Sequence, residues 1–266
     1  MDKDAICVTS DAVLLDQYEL MEPIGAGNYG DVIKARHRSS NTVIAIKRLQ
    51  RTGASAAVTD IVSLAVRHVA NVTRHVNLAC WYDTFQFSAS QHAMVMELFD
   101  MNLAQFMACA NSREINPRFQ VSLQCVRGLA FLHSQQPLPM THRNVTPQNV
   151  LIKIHPETNT VVVAKLADFG IVDVIEANVD ESTVDDETND DVNSFKRVTV
   201  YQLNPSFKAP ELFAAKHNRG LAKCRLHKNA PVDIFALGVV YLYTFCHNTS
   251  KYGKLFLDFY HIKIST

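Results

Sequence analysis

Apolar and polar residues follow different periods along the chain, and those periods mark its elements. From Tyr18 the text reads Y-E-L-M-E-P-I-G-A-G-N-Y-G-D-V-I-K-A-R, followed shortly by N-T-V-I-A-I-K. Apolar residues alternate with polar ones on both sides of a glycine cluster, Gly25, Gly27 and Gly30, which predicts strands joined through a tight turn. A second strand is expected over 42–49. Over 56–74 the period changes: Val58, Ile61, Val62, Ala65, Val69 and Val72 recur at the spacing of one helix face. Residues 92–103 read as a buried strand leading into a polar hinge and a short helix. Asn116 and Pro117 form an N-cap and first-turn pair, opening a helix whose apolar face includes Val121, Cys125, Leu129 and Leu132. A strand is expected over 161–167. The longest apolar run, 234–246, has 13 residues, whereas a membrane span needs about 20, so it reads as a buried core helix.

At 266 residues the chain is long enough for one large domain or two lobes with a substantial core, and 47% hydrophobic with 20% charged residues fits a soluble globular protein. The formal net charge is zero and the pI about 7.2, which argues against nucleic acid or an anionic membrane as a partner held by bulk charge. The six cysteines are scattered without a C-x-x-C pair, so neither a zinc site nor a disulfide framework is suggested, as suits a reducing compartment. Asp2, Asp4, Asp11 and Asp16 interrupt the first twenty residues, so no signal peptide is expected. A cytoplasmic or nuclear location follows as the expectation.

The glycine cluster alone is a weak signal. A dinucleotide-binding unit would run from the glycines into a helix, with an acidic residue about 20 positions on. Here the glycines lead into β-prone Val32 and Ile33, then into a strand carrying Ala45-Ile46-Lys47. Further on come Thr-His-Arg-Asn-Val-Thr-Pro-Gln-Asn-Val-Leu over 141–151, Asp168-Phe169-Gly170, Ala209-Pro210-Glu211, and Pro-Val-Asp-Ile-Phe-Ala-Leu-Gly-Val-Val over 231–240. In this order, the motifs resemble those of the eukaryotic protein kinase family across residues 18–246. The resemblance implies an α+β, two-lobed protein kinase-like fold over 18–266. A small β-rich lobe with one helix (18–98) and a mostly helical lobe (99–266) would hold nucleotide between them, and 1–17 would form an extension. The family has several more helices after the one matched at 231–240, so the larger lobe is expected to be truncated, unless 251–266 substitutes in reduced form.

The resemblance also implies roles. Gly25, Gly27, Gly30 and Val32 would cover the phosphates of ATP, with Ala45 and Lys47 beside them. Met96 would be the gatekeeper, Glu97 to Phe99 would offer backbone groups to adenine, and Leu151 completes the nucleotide set. Asp168 and Asn149 would hold Mg²⁺, a hard cation that takes oxygen donors. Asp233 would hydrogen-bond the backbone of the catalytic loop, and His133 reads as structural. Arg143, Asn144 and Thr146 occupy the catalytic positions, and two of them depart from the family. Asn144 stands where the family has the Asp that accepts the substrate hydroxyl's proton, and Thr146 replaces the Lys that steadies the transferring phosphate. A third departure is the helix glutamate that pairs with the lysine. It should fall near Ala65 or Val66, yet between Lys47 and Glu97 the carboxylates are Asp60 and Asp83 alone. The segment after Gly170 is unusual too, with nine acidic and no basic residues over 173–191. It reads as a solvated loop, or as a regulatory tail in which Ser182, Thr183 and Thr188 each precede an acid by three residues. Asn204, seven residues before Glu211, stands where Ser/Thr kinases usually have Thr.

A general base contributes about 10²–10⁴-fold, and a phosphate-clamping cation a comparable factor. The sequence therefore points first to a pseudokinase that holds ATP and Mg²⁺ and acts through a protein partner, for which a basic surface is the natural complement to 173–191. The second reading is an active Ser/Thr kinase with an unorthodox loop; the third is an incomplete gene product.

Overall fold

The computed structural model describes residues 16–27, 30–50, 74–88, 91–109, 115–135, 140–158, 160–169, 205–210 and 230–246. The helix expected over 56–74, apart from its last residue, the acidic segment 173–191, Asn204, Glu211 and 251–266 lie outside these residues; Arg74 itself is not helical. The described residues fall into two compact units. One holds those up to Arg74 together with Ala79–Leu98; the other holds His75–Leu78 and those from Phe99 onward.

The first unit is an antiparallel sheet of β1 (Tyr18–Gly27), β2 (Gly30–His37), β3 (Val43–Gln50), β4 (Trp81–Ser88) and β5 (Gln91–Met96), in the order β1-β2-β3-β5-β4. β3 thus lies one residue later than the strand expected over 42–49. Alternation is what builds it: Ala35, Ile44, Ile46, Ala93 and Val95 fall on one face with Tyr18 and Phe85 and form its core. Pro23 sits where the β1–β2 register shifts, a position suited to a residue with no N–H to donate. At the β2–β3 turn, Asn41 adopts a left-handed backbone (φ 57°), which Asn tolerates better than most side chains, and its N–H donates to the His37 carbonyl at 2.8 Å.

The second unit contains β6 (Met101–Asn102), β7 (Val150–Ile154) and β8 (Val161–Leu166) in one small sheet, with α1 (Leu103–Ala108), α2 (Ile115–His133) and α3 (Pro231–Cys246). Asn102 caps α1 through a reciprocal box: its Oδ1 accepts from the Gln105 N–H at 2.9 Å, and the Gln105 Oε1 accepts from the Asn102 N–H at 2.8 Å. α2 buries the expected Val121, Cys125, Leu129 and Leu132. The N-cap assignment is corrected. α2 already includes Ile115, so Asn116 and Pro117 are inside its first turn. The first four N–H groups of a helix have no intrahelical acceptor, so proline is tolerated there as well as at the first position.

The turn His75–Leu78 is fastened to α2 and β8 by Asn77. Its Nδ2 donates to the Gln124 Oε1 and to the Ala164 carbonyl, both at 3.0 Å, and its own carbonyl accepts from the Leu166 N–H at 2.9 Å. Gln124 Oε1 also accepts the Ala164 N–H at 2.8 Å. Helix and turn approach so closely here that a methyl group on Gly128 would stand 2.7 Å from the Asn77 carbonyl oxygen. Gly128→Ala gains about 1 kcal/mol of helix propensity but forces apart a packed contact, which costs about 1–3 kcal/mol. Urea denaturation is expected to show net destabilisation; a variant as stable as the parent would contradict this packing.

Candidate functional site

In the first unit the cross-strand register gathers most of the residues expected around a nucleotide. Gly25 opposes Val32, Val32 opposes Lys47, and Ala45 opposes Met96. Opposed residues share a face and the face alternates along each strand, so Val32, Ala45, Lys47 and Met96 stand together, on the side away from the Ile44/Ile46 core. Ala45 and Met96 are buried, while Val32 and Lys47 are half-buried. A methyl group on Gly25 would meet only the Val32 side chain, at 3.8 Å, so the backbone is open to close approach there. Gly27 and Gly30 oppose each other as the last pair of the hairpin. The Glu97 N–H donates to the Cys80 carbonyl at 3.0 Å, so the amide of this expected hinge residue is committed within the unit.

In the second unit, Phe99 is half-buried, and the next residue is tied to β7 by the Asp100 N–H donating to the Ile152 carbonyl at 3.1 Å. Leu151 pairs with Asn102 and with Lys165, on the opposite face of β7 from buried Val150 and Ile152. The loop before it, 141–149, hangs from one carboxylate. Asp233 of α3, 0% exposed, accepts the His142 N–H on Oδ2 and the Arg143 N–H on Oδ1, each at 2.7 Å. This is the contact expected of Asp233. His133 Nε2, 2.9 Å from Oδ2, donates a third bond, which gives that residue the structural part expected of it. Held this way, Arg143 takes a left-handed backbone (φ 61°), a conformation that costs an ordinary side chain about 1–2 kcal/mol. Its Nε donates to the Thr141 Oγ1 at 3.2 Å.

Asn144 is half-buried; its N–H donates to His142 Nδ1 at 3.3 Å and its carbonyl accepts from Asn149 Nδ2 at 2.8 Å. Thr146 leads into a single 3₁₀ turn, Pro147–Asn149, and is buried, with 6% of its surface exposed. Its hydroxyl is short and enclosed, unlike a lysine reaching out for a phosphate. Asn144 is an amide and can neither gain nor hold a proton at neutral pH as a carboxylate can.

Asn149 and Asp168 are brought to the same place by backbone: the Ala167 N–H donates to the Asn149 carbonyl at 2.9 Å. Because the Asn149 Nδ2 is committed to the loop, its Oδ1 is the atom left to face a cation. Asp168 also has a left-handed backbone (φ 61°), between buried Ala167 and fully enclosed Phe169. One carboxylate and one amide oxygen fit Mg²⁺, which keeps several waters and takes phosphate oxygens besides. Among the described residues no group of three or more His, Cys, Asp or Glu side chains could hold a metal by itself.

Residues that no motif marked support these positions within each unit. Thr141 receives the Arg143 side chain, Gln124 bridges α2 to β8, and Asp31 pairs with Arg48 beside Lys47. Opposite charges at facing hairpin positions signal the last of these, once the register is known. The described cysteines Cys80, Cys109, Cys125 and Cys246 form no disulfide with one another, and burial pushes Cys125 up to about 12. Compared with known families, residues 18–255 match the family model described as "Protein kinase domain".

Two outcomes are expected of the loop's anchor. Asp233→Ala leaves three N–H donors, the His142 and Arg143 amides and the His133 imidazole, without this acceptor and is expected to lose about 3–5 kcal/mol in chemical denaturation; Asp233→Asn, keeping one acceptor oxygen, loses less. Burial holds the His142 imidazole below its ordinary value of 6.5, against the weaker opposing pull of Asp233 and Asp168 and with His133 adding to the depression. The unfolded chain therefore binds this proton first, and stability is fully present above 6.5 and falls as pH drops below it. Urea midpoints measured from neutral to mildly acid pH should fall, and His142→Phe should flatten that slope.

Proposed function

This chain belongs to the protein kinase family, and within it we propose a pseudokinase: a domain that holds ATP with Mg²⁺, transfers phosphate poorly, and acts through contacts with another protein. Protein kinase domains in general use ATP and Mg²⁺. The observation that carries the reading is Asn144, a neutral amide at the base position of a loop whose His142 and Arg143 amides are held by Asp233. Enclosed Thr146 supports it, since no cation extends from that position toward a transferring phosphate. The lack of a glutamate near Ala65 or Val66 supports it from a third side. These are losses in transfer chemistry, and they do not simply add.

Binding depends on other groups. Asn149 Oδ1 and the Asp168 carboxylate supply the oxygens for Mg²⁺, which when bound would neutralise charge on the β- and γ-phosphates. Lys47, Val32 and Ala45 share one face of the first unit's sheet, suited to phosphate and adenine, with the Glu97 carbonyl offered to the base; Phe99 and Leu151 are the second unit's candidates for contact with the base.

A second reading, an active Ser/Thr kinase, is favoured by one feature. Arg143 and Asp168 keep strained backbones and the loop keeps its Asp233 anchor, and phosphoryl transfer relies mainly on positioning. In that case Asn144 would orient the hydroxyl. A large gain of activity in the Asn144→Asp, Thr146→Lys double variant over an inert parent would exclude it.

The decisive measurement is a thermal-shift titration with ATP, with and without Mg²⁺. A ligand at a hundredfold excess over Kd raises stability by about 2.7 kcal/mol, and the shift should depend on Mg²⁺ and vanish in Asp168→Ala. No shift in the parent would remove the nucleotide from the proposal. γ-Phosphate transfer at ordinary kinase rates would overturn the pseudokinase reading.

A further inference from the structure

Next to the row that carries Lys47, the neighbouring row of the same hairpin holds an ion pair that the nucleotide reading leaves without a role. Asp31 directly follows Gly30 and opposes Arg48 across β2 and β3. Arg48 Nε donates to Asp31 Oδ1 at 3.1 Å, and Nη2 donates to Oδ2. In this fork geometry, two parallel bonds fix the orientation of both groups. Donation from Arg48 holds the Asp31 carboxyl below the ordinary carboxylate range, outweighing partial burial. The pair is therefore charged at neutral pH.

Its position is what gives it meaning. The β1–β2 ladder shifts register twice on the approach to Gly25, around Pro23, whereas the β2–β3 ladder runs unbroken from Arg36 opposite Val43 to Gly30 opposite Leu49. Glycines add backbone freedom at the same end. The last rungs of the hairpin therefore depend on β3 for their pose, and the pair locks one of those rungs one residue from Lys47. The neighbouring pairs differ. Lys34–Glu22 and Arg36–Glu19 join β2 to β1 through single contacts at 2.7 and 3.3 Å to carboxylates more exposed than that of Asp31, and such pairs contribute little.

We infer that Asp31 and Arg48 are a positioning pair, holding the described rungs of the glycine hairpin, up to Gly27 and Gly30, in the pose that presents their backbone to nucleotide phosphates. The inference rests on the nucleotide-binding reading above. Neither residue touches the ligand, because both lie on the opposite face from Val32 and Lys47. The pair acts by pre-organising the hairpin, so it strengthens binding of the phosphates and not of the base.

The test is calorimetric titration of the full chain with Mg-ATP and, separately, with adenosine. Asp31→Ala and Arg48→Ala are each expected to weaken Mg-ATP by about three- to tenfold, the scale of one well-formed, partly exposed charged pair, and to leave adenosine unchanged. The double variant should be no weaker than the poorer single, as for residues acting as a unit. The swapped pair Asp31→Arg, Arg48→Asp should recover affinity. Unchanged Mg-ATP binding in both singles, a parallel loss for adenosine, or additive losses in the double would each overturn the inference. If an alanine variant does not fold, Arg48→Lys keeps the charge without the fork, and the same contrast between Mg-ATP and adenosine decides. Failure of the unsubstituted chain to bind Mg-ATP would instead remove the nucleotide reading, and the inference with it.

Discussion

The second unit depends on the Asp233 carboxylate. Enclosing a charge is costly unless it is matched by strong hydrogen bonds, and Asp233 is fully enclosed. Three donors from two separate segments converge on it: the His142 and Arg143 amides from the loop, and the His133 imidazole from the end of α2. Charge-assisted bonds of this kind contribute about 1.5–3 kcal/mol each, enough to hold Arg143 in a left-handed backbone against its own preference. Helix, loop and helix are thereby fixed by one side chain. Everything after Arg143, from Asn144 through the Pro147–Asn149 turn to Leu151, takes its direction from that anchor.

Along that loop, the residues divide by the kind of chemistry they retain. The first part carries Asn144 and Thr146, an amide and an enclosed hydroxyl where proton transfer and phosphate clamping call for a carboxylate and a cation. The second part carries Asn149, whose Nδ2 is bonded back to the Asn144 carbonyl. That bond joins the two parts: the backbone of the altered position orients the side chain proposed to hold the metal. A substitution at 144 that keeps the backbone in place leaves this support intact, which is the physical support for the proposed separation of binding from transfer.

Much of this was legible in the sequence. Alternation around Gly25, Gly27 and Gly30 located the strands, because a period of two has one structural meaning when a turn follows it. Val121, Cys125, Leu129 and Leu132 located the buried face of α2 for the same reason at the helical period. The start of α2 was misjudged by a small margin, since Asn116 and Pro117 satisfy the first turn as well as they would satisfy a cap. The family motifs supplied the role of Asp233, which periodicity could not, as an acidic residue inside an apolar helix looks like a defect until its partners are known.

By itself the sequence determined the family, the replacement of a carboxylate by an amide at 144, and the place of most described elements, though not of β4. Those properties reside in local periods and in single side chains. The tertiary structure decided what depends on register and enclosure: that Val32, Ala45, Lys47 and Met96 share a face, that Asp31 meets Arg48, and that Thr146 is shut away from solvent. It also decided that Gln124 and Asn77 tie a turn to a helix and a strand. Such contacts join residues tens of positions apart, and their partners are chosen by how the chain packs, which no single stretch of it records.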